Sequence, residues 1–244
     1  MSEIIPAILE KNFEEIENNL GLILGATSFV QIDVCDGFFV PSKSWPFDSA
    51  SGKPPYDKIF AKIMAQEEGL PYWEDIDYEF DLMVKNPAKK IPDFISAGAS
   101  RIVVHIDSAN DDEIENILNE YSLPAGEAGT DEMRDFGVEI GLAISATTNM
   151  ERAEKFIPQA AFVQCMGIKK IGFQDQLFDE DVIDRIISLR QKFPELTISV
   201  DGGVSEDTIS SLVMAGANRL IIGSAIWDSE TPADEITNLQ EMGN

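Results

Sequence analysis

"AGANRLIIGS" (residues 215–224) has two near copies earlier in the chain, "LGATSFVQID" (24–33) and "AGASRIVVHID" (97–107). Each joins a Gly-Ala pair and a small polar residue to a short run rich in β-branched and other apolar side chains. A glycine after an amphipathic stretch closes a helix in the left-handed conformation, and the run that follows reads as a strand. The repeated unit is therefore helix, glycine, strand. Gly25, Gly98 and Gly216 report architecture and carry no chemistry.

The same alternation extends in both directions. Strands are predicted over Ile4–Ile8, Phe29–Val34, Tyr78–Val84, Arg101–Ile106, Val138–Ile144, Phe162–Ile168, Thr197–Val200 and Arg219–Ile222. Helical periodicity falls between them, over Phe13–Leu24, Tyr56–Gln66, Ile91–Ala97, Asp111–Tyr121, Met150–Phe156, Asp179–Phe193, Glu206–Ala215 and Asp234–Met242. Strict alternation implies parallel strands joined by crossover helices. An eightfold count closes into a (β/α)8 TIM barrel, with an open doubly wound sheet as the competitor. The 244 residues suit a single α/β barrel domain over 1–244. Ser42–Pro55, rich in Ser, Pro and Gly, follows the second strand and is expected to be a lid on the catalytic face. Leu123–Glu132 is expected to be an inert excursion on the opposite face.

Composition narrows the partners. With 44 acidic against 18 basic residues the formal charge is −26, a field that repels nucleic acid and anionic membranes. Cys35 and Cys165 lie far apart, each beside an apolar run, which suits reduced thiols in a cytoplasmic protein. No basic segment followed by an apolar stretch opens the chain, and no apolar run approaches membrane-spanning length, so neither a signal peptide nor a membrane span is expected.

Barrel strands deliver polar side chains to the catalytic face at their C-terminal ends. Those ends carry Asp33, Asp36, Glu79, Asp81, His105, Asp107, Ser145, Gln164, Cys165, Asp201 and Ser224. Any one acid is accounted for as a cap or turn former. Several at strand ends suit proton abstraction from carbon, when one is ionised and another protonated, or a hard divalent cation. "VDGGV" (200–204) ends a strand on an acid and then lets the backbone approach a ligand through Gly202 and Gly203. "IIGSA" (221–225) offers Gly223 and Ser224 after the last strand, where barrels commonly hold a phosphate.

Taken in order, "IIPAIL", "VQIDVCDGFFVP", "EFDLMV", "SAGASRIVVHIDS", "GLAISATT", "MGIKKIGFQDQLF", "VDGGV" and "AGANRLIIGSAIW" resemble the ribulose-phosphate 3-epimerase family across nearly the whole chain. The resemblance implies a homo-oligomeric barrel in which two aspartates exchange the C3 proton of a ketose phosphate through an enediolate. It also implies a divalent metal held by two histidines and those aspartates. The aspartates correspond to Asp33 and Asp201, and Gly172 falls in the family's phosphate loop.

The chain departs from that pattern at the histidines. The two metal-binding positions are Gln31 and Asp81, a further signature histidine is Phe38, the first strand's serine is Ala7, and His105 matches a position outside the metal set. Gln31, Asp33, Asp81 and Asp201 form an all-oxygen set that favours Mg2+ or Mn2+ over Zn2+ or Fe2+, with a metal-free site as the alternative. The phosphate loop reads Gly172-Phe173-Gln174-Asp175-Gln176, so two glycines are replaced and an acid is added. Lys169 and Lys170 stand close enough in sequence to compensate. The expected function is C3 epimerisation of a ketose phosphate. The alternative is a non-catalytic or re-purposed barrel binding a small sugar or phosphate ligand. A Schiff-base aldolase is disfavoured, because such chemistry needs a strand-end lysine and Lys85, near a strand end, follows the apolar Val84.

Overall fold

In a computed structural model of the protein, residues 2–47, 56–121, 138–173 and 176–243 are described. Strands β1 (Glu3–Ile8), β2 (Phe29–Cys35), β3 (Asp77–Met83), β4 (Arg101–His105), β5 (Glu139–Ile144), β6 (Phe162–Met166), β7 (Ile198–Asp201) and β8 (Arg219–Ile222) pair in sequence order into a closed barrel. Every pairing is parallel, and β8 returns to β1 through Glu3↔Arg219 and Ile5↔Ile221. Closure settles the competition with an open sheet: this is a TIM barrel.

Among the described residues the helices are α1 (Phe13–Ile23), α2 (Lys58–Met64), α3 (Ile91–Ser96), α4 (Asp111–Tyr121), α5 (Met150–Phe156), α6 (Asp181–Lys192), α7 (Glu206–Ala215), α8 (Ser224–Trp227) and α9 (Pro232–Met242). Local chemistry starts several of them. Asn12, Asp57 and Asn149 accept N–H groups of the first turns of α1, α2 and α5, and Ser205 and Thr208 form a capping box on α7. The glycines of the repeat all take positive φ (Gly25 85°, Gly98 96°, Gly216 109°), where a side chain would be strained.

Strand alternation sorts the core into layers. On β2, Val30, Ile32 and Val34 face the helices and join the main hydrophobic cluster, while Phe29, Gln31 and Asp33 alternate with them and project into the barrel. At the N-terminal mouth, Arg101 and Arg219 interleave with Glu3 and Glu139 at 3.2–3.8 Å. Their guanidinium groups lie 3.8 Å over Phe29 and 4.9 Å over Phe162. This charged ring floors the barrel, and polar side chains stack above it toward the opposite mouth.

Ser42–Phe47 is pinned to the end of β2. The backbone of Lys43 pairs antiparallel with that of Asp36, Ser44 Oγ accepts the Cys35 N–H at 2.8 Å and donates to the Asp33 carbonyl at 2.6 Å, and Trp45 is buried against Phe13 and Phe60. The rest of the expected lid, 48–55, and the expected excursion at 123–132 lie outside the described residues.

Candidate active site

Three carboxylates from separate strands meet inside the catalytic mouth. Asp33 (β2), Asp81 (β3) and Asp201 (β7) each offer an oxygen, and these lie within 4.8 Å of one another. Asp33 and Asp81 are Cα partners in adjacent strands, while Asp201 enters from the other side of β1 and β8. Asp81 and Asp201 are buried, and Asp33 is half-buried at the opening.

Two glutamines and a histidine hold the acids. Gln31 Nε2 donates to Asp33 Oδ1 at 2.7 Å and to Asp201 Oδ2 at 3.1 Å. Gln164 Nε2 donates to Asp81 Oδ2 at 3.3 Å and to the same Asp201 oxygen at 3.1 Å. His105 Nε2 lies 3.0 Å from Asp81 Oδ1, and the Phe39 ring packs 5.5 Å from the imidazole. Gln31 and Gln164 are both fully buried.

Burial and crowding disfavour a fully ionised cluster. Burial first, then repulsion from Asp201 and Asp81, pushes the Asp33 carboxyl well above the usual carboxylate range, against the Gln31 hydrogen bond. Burial and Asp81 raise Asp201 to about 7, opposed by Gln31 and His105. Glu79, deeper in the barrel, is also raised to about 7 by burial, with Arg101 and Arg219 acting the other way. A site in which burial and crowding favour protonation of Asp33 and Asp201 can keep one carboxyl protonated and another ionised, which is what an acid/base pair needs.

Gly172, Gly202, Gly203, Gly223 and Ser224 line one cleft with Asp33 and Asp201. Gly202 and Gly203 have φ of 97° and 69°, and a Cβ on Gly203 would stand 2.8 Å from the Phe178 Cα. The strand-end glycines therefore shape the cleft wall. Lys169 and Lys170 do not line it: both are exposed, and Lys169 Nζ reaches Asp179 at 3.6 Å instead. Gln174 and Asp175 lie outside the described residues. Lys85 is exposed, so no lysine of the described residues enters the acid cluster.

Asp36 plays a structural part. Its Oδ1 accepts the N–H groups of Phe38 and Phe39 at 2.8 and 3.1 Å, and its Oδ2 accepts the Lys85 N–H at 2.8 Å. With Gly37 at φ 76°, it folds the turn after β2 and ties it to the end of β3. The contacts of Gln164 and His105 with the acids have no counterpart in local sequence spacing, although both residues stand at strand ends.

The cluster fits a metal by the chemistry of its donors. Among the described residues only His105, beside Asp81, offers the three crowded carboxylates positive charge, and Gln31 Oε1 and Gln164 Oε1 are buried acceptors with no donor there. Hard divalent cations take such all-oxygen sets. Among the described residues no helix is long and apolar enough to cross a membrane.

Comparison with known proteins agrees with this geometry. The model of the ribulose-phosphate 3 epimerase family matches residues 60–227. The chain is 27% identical to the ribulose-phosphate 3-epimerase of Candida glabrata, covering 98% of this chain and 91% of that one. It is 27% identical to the enzyme of the same name from Aquifex aeolicus, covering 99% and 97%. Among solved structures, 3-hexulose-6-phosphate synthase from Salmonella typhimurium superposes with a TM-score of 0.66 at 15% identity, covering 99% and 98% of the two chains. KGPDC from Streptococcus mutans gives 0.64 at 13%, covering 99% and 97%. At such identities these two structures speak to the fold alone.

Proposed function

The chain belongs to the ribulose-phosphate 3-epimerase family, and on that premise we propose that it is an isomerase that inverts C3 of a ketose phosphate with Asp33 and Asp201 as its acid/base pair. The observation that carries this reading is the pairing of those two acids. They arrive from β2 and β7 and are bridged by one amide hydrogen-bond donor, Gln31 Nε2. Burial raises both, with repulsion from Asp201 and Asp81 adding to it at Asp33 and repulsion from Asp81 at Asp201.

A ketose seated between them presents one face of C3 to each carboxyl. The ionised partner takes the C3 proton, and the electrons of that C–H bond pass into an enediolate. The protonated partner then gives its proton to C3 from the opposite face. The two carboxyls end with exchanged protonation, so the reverse reaction uses the same groups with their roles swapped. In the arrangement without a cation, Gln31 stabilises whichever member is ionised, because its Nε2 donates to both.

The cation assigned here is Mg2+ or Mn2+, held by Asp33, Asp81, Asp201 and Gln31, since the set contains no imidazole or thiolate to favour Zn2+ or Fe2+. When bound it would supply positive charge that offsets the negative charge of the enediolate. His105 orients Asp81 through their 3.0 Å contact. The backbone around Gly172, Gly202, Gly203, Gly223 and Ser224 receives the phosphate end of the substrate. The same reading takes the protein as a single-domain, homo-oligomeric cytoplasmic enzyme working on a free sugar phosphate. Its −26 charge is in keeping with no nucleic-acid partner. Raised, paired acids argue for turnover over a binding-only barrel.

Turnover of ribulose 5-phosphate to its C3 epimer, followed with a coupling enzyme, tests the proposal. The parent protein is expected to be active, and Asp33→Asn and Asp201→Asn each to lose about a thousandfold or more of the rate, as loss of a positioned acid or base does. Unchanged rates in both variants would overturn the assignment.

A further inference from the structure

Each glutamine beside the acids has one satisfied end and one mismatched end. Gln31 and Gln164 turn Nε2 to the carboxylates, which leaves each Oε1 buried without a donor among the described residues. Their cross-strand neighbours are mismatched too. Register sets Gln31 beside Glu79 and Gln164 beside Ser199, all on the inward face. Both Glu79 carboxyl oxygens and Ser199 Oγ are buried with no hydrogen-bond partner among the described residues. A buried polar atom without a partner costs on the order of 1–3 kcal/mol, so a cluster of them at one level marks an arrangement with a second, better-satisfied state.

A primary amide is a donor at one end and an acceptor at the other, and half a turn about its last bond exchanges them. After that turn, Nε2 of Gln31 would be offered to Glu79, and Nε2 of Gln164 to Ser199. Both Oε1 atoms would join the three aspartates. Five oxygens converging on one point repel unless a cation stands among them.

We propose that Gln164 is a ligand of the divalent-cation site, and that Gln31 and Gln164 reach the ion by inverting their amides. This rests on the reading that the site takes a cation. Five protein oxygens would form an all-oxygen donor set of the kind hard divalent cations prefer. The orientation with Nε2 toward the acids is then the cation-free form, in which the amide donors hold the carboxylates together.

The competing explanation gives the glutamines only this second duty. In that case each amide competes with a cation for carboxylate oxygens, and removing Gln164 leaves cation binding unchanged or makes it tighter. The two explanations differ in sign.

The test is Mn2+ titration of the chelator-treated full chain by calorimetry, parent against Gln164→Met, a swap of similar length without polar atoms. The expected result is a dissociation constant raised about tenfold or more in the variant. Equal or tighter binding by the variant overturns the role of Gln164 and leaves the cation reading standing. Absence of Mn2+ uptake by the parent overturns both. Should the variant not fold, Mg2+ titration of the 15N-labelled parent decides. A new Overhauser contact between the Gln164 side-chain amide and Ser199 supports inversion, and its absence at saturating Mg2+ refutes it.

Discussion

Asp201→Asn changes one ionisable group at the centre of the cluster and leaves its shape almost intact. The new Oδ1 still accepts from Gln31 and Gln164, which both donate to one Asp201 oxygen at 3.1 Å. Charge is what differs. Asp201 titrates at about 7 in the folded chain, against an ordinary value of 3.8. Between those values the folded state binds the proton and the unfolded state has released it. The group's contribution to stability is therefore fully present below the unfolded value and is lost as pH rises through the folded one. Single-site linkage with these two values makes the loss about 2–3 kcal/mol from about pH 5 to about pH 8. The asparagine variant does not suffer it. Removing the Asp201 charge also relieves Asp33, which pushes the comparison the same way. Melting temperatures measured with a chelator present should thus fall across this range by about 5–10 °C more for the parent than for the variant. Parallel profiles for the two proteins would refute the assigned burial and crowding of Asp201.

Three other perturbations probe separate parts of the account. Asp36→Ala removes the acceptor of three backbone N–H groups and should cost about 2–3 kcal/mol in denaturant unfolding; kcat should drop with it, because Phe39 is released from His105. Gly203→Ala forces a side chain into a φ of 69° and to 2.8 Å from the Phe178 backbone. Its expected signature is a loss of about 1–3 kcal/mol of stability together with a raised KM. Chelator treatment should lower kcat about tenfold or more, with recovery on adding Mg2+ or Mn2+; a rate indifferent to both would remove the cation from the mechanism.

The barrel was legible because its signal is local and repeated. Gly25, Gly98 and Gly216 each end a helical stretch and precede a strand, and periodicity does the rest. Helix ends were less legible, for local reasons. Asp57 caps α2, so the helix starts at Lys58 and not at Tyr56, and Gln66, with φ 58°, stands beyond its end at Met64. Pro232 starts α9 two residues before the apolar pattern does. The four residues of α8 are too few for any periodicity to register.

At the site, the strand ends offered Asp33 and Asp201 among several polar residues, and the family resemblance singled out those two. The partners of those acids were not readable in the same way. Gln164 meets Asp201 and Asp81 across 37 and 83 residues, and His105 meets Asp81 across 24. Those encounters depend on barrel register, which no local spacing encodes. Lys169 illustrates the converse: proximity in sequence to the phosphate loop suggested a role, and its side chain points instead to Asp179.

Solvent deuterium incorporation at C3 tests the central claim most directly, because it reports proton exchange at carbon whatever limits turnover. The measurement is mass spectrometry of ribulose 5-phosphate after incubation with the full chain and Mg2+ or Mn2+ in D2O. The account predicts one deuterium at C3, appearing in both epimers, and its loss in Asp33→Asn and in Asp201→Asn. No incorporation with the parent protein, or incorporation that survives in both variants, would contradict it.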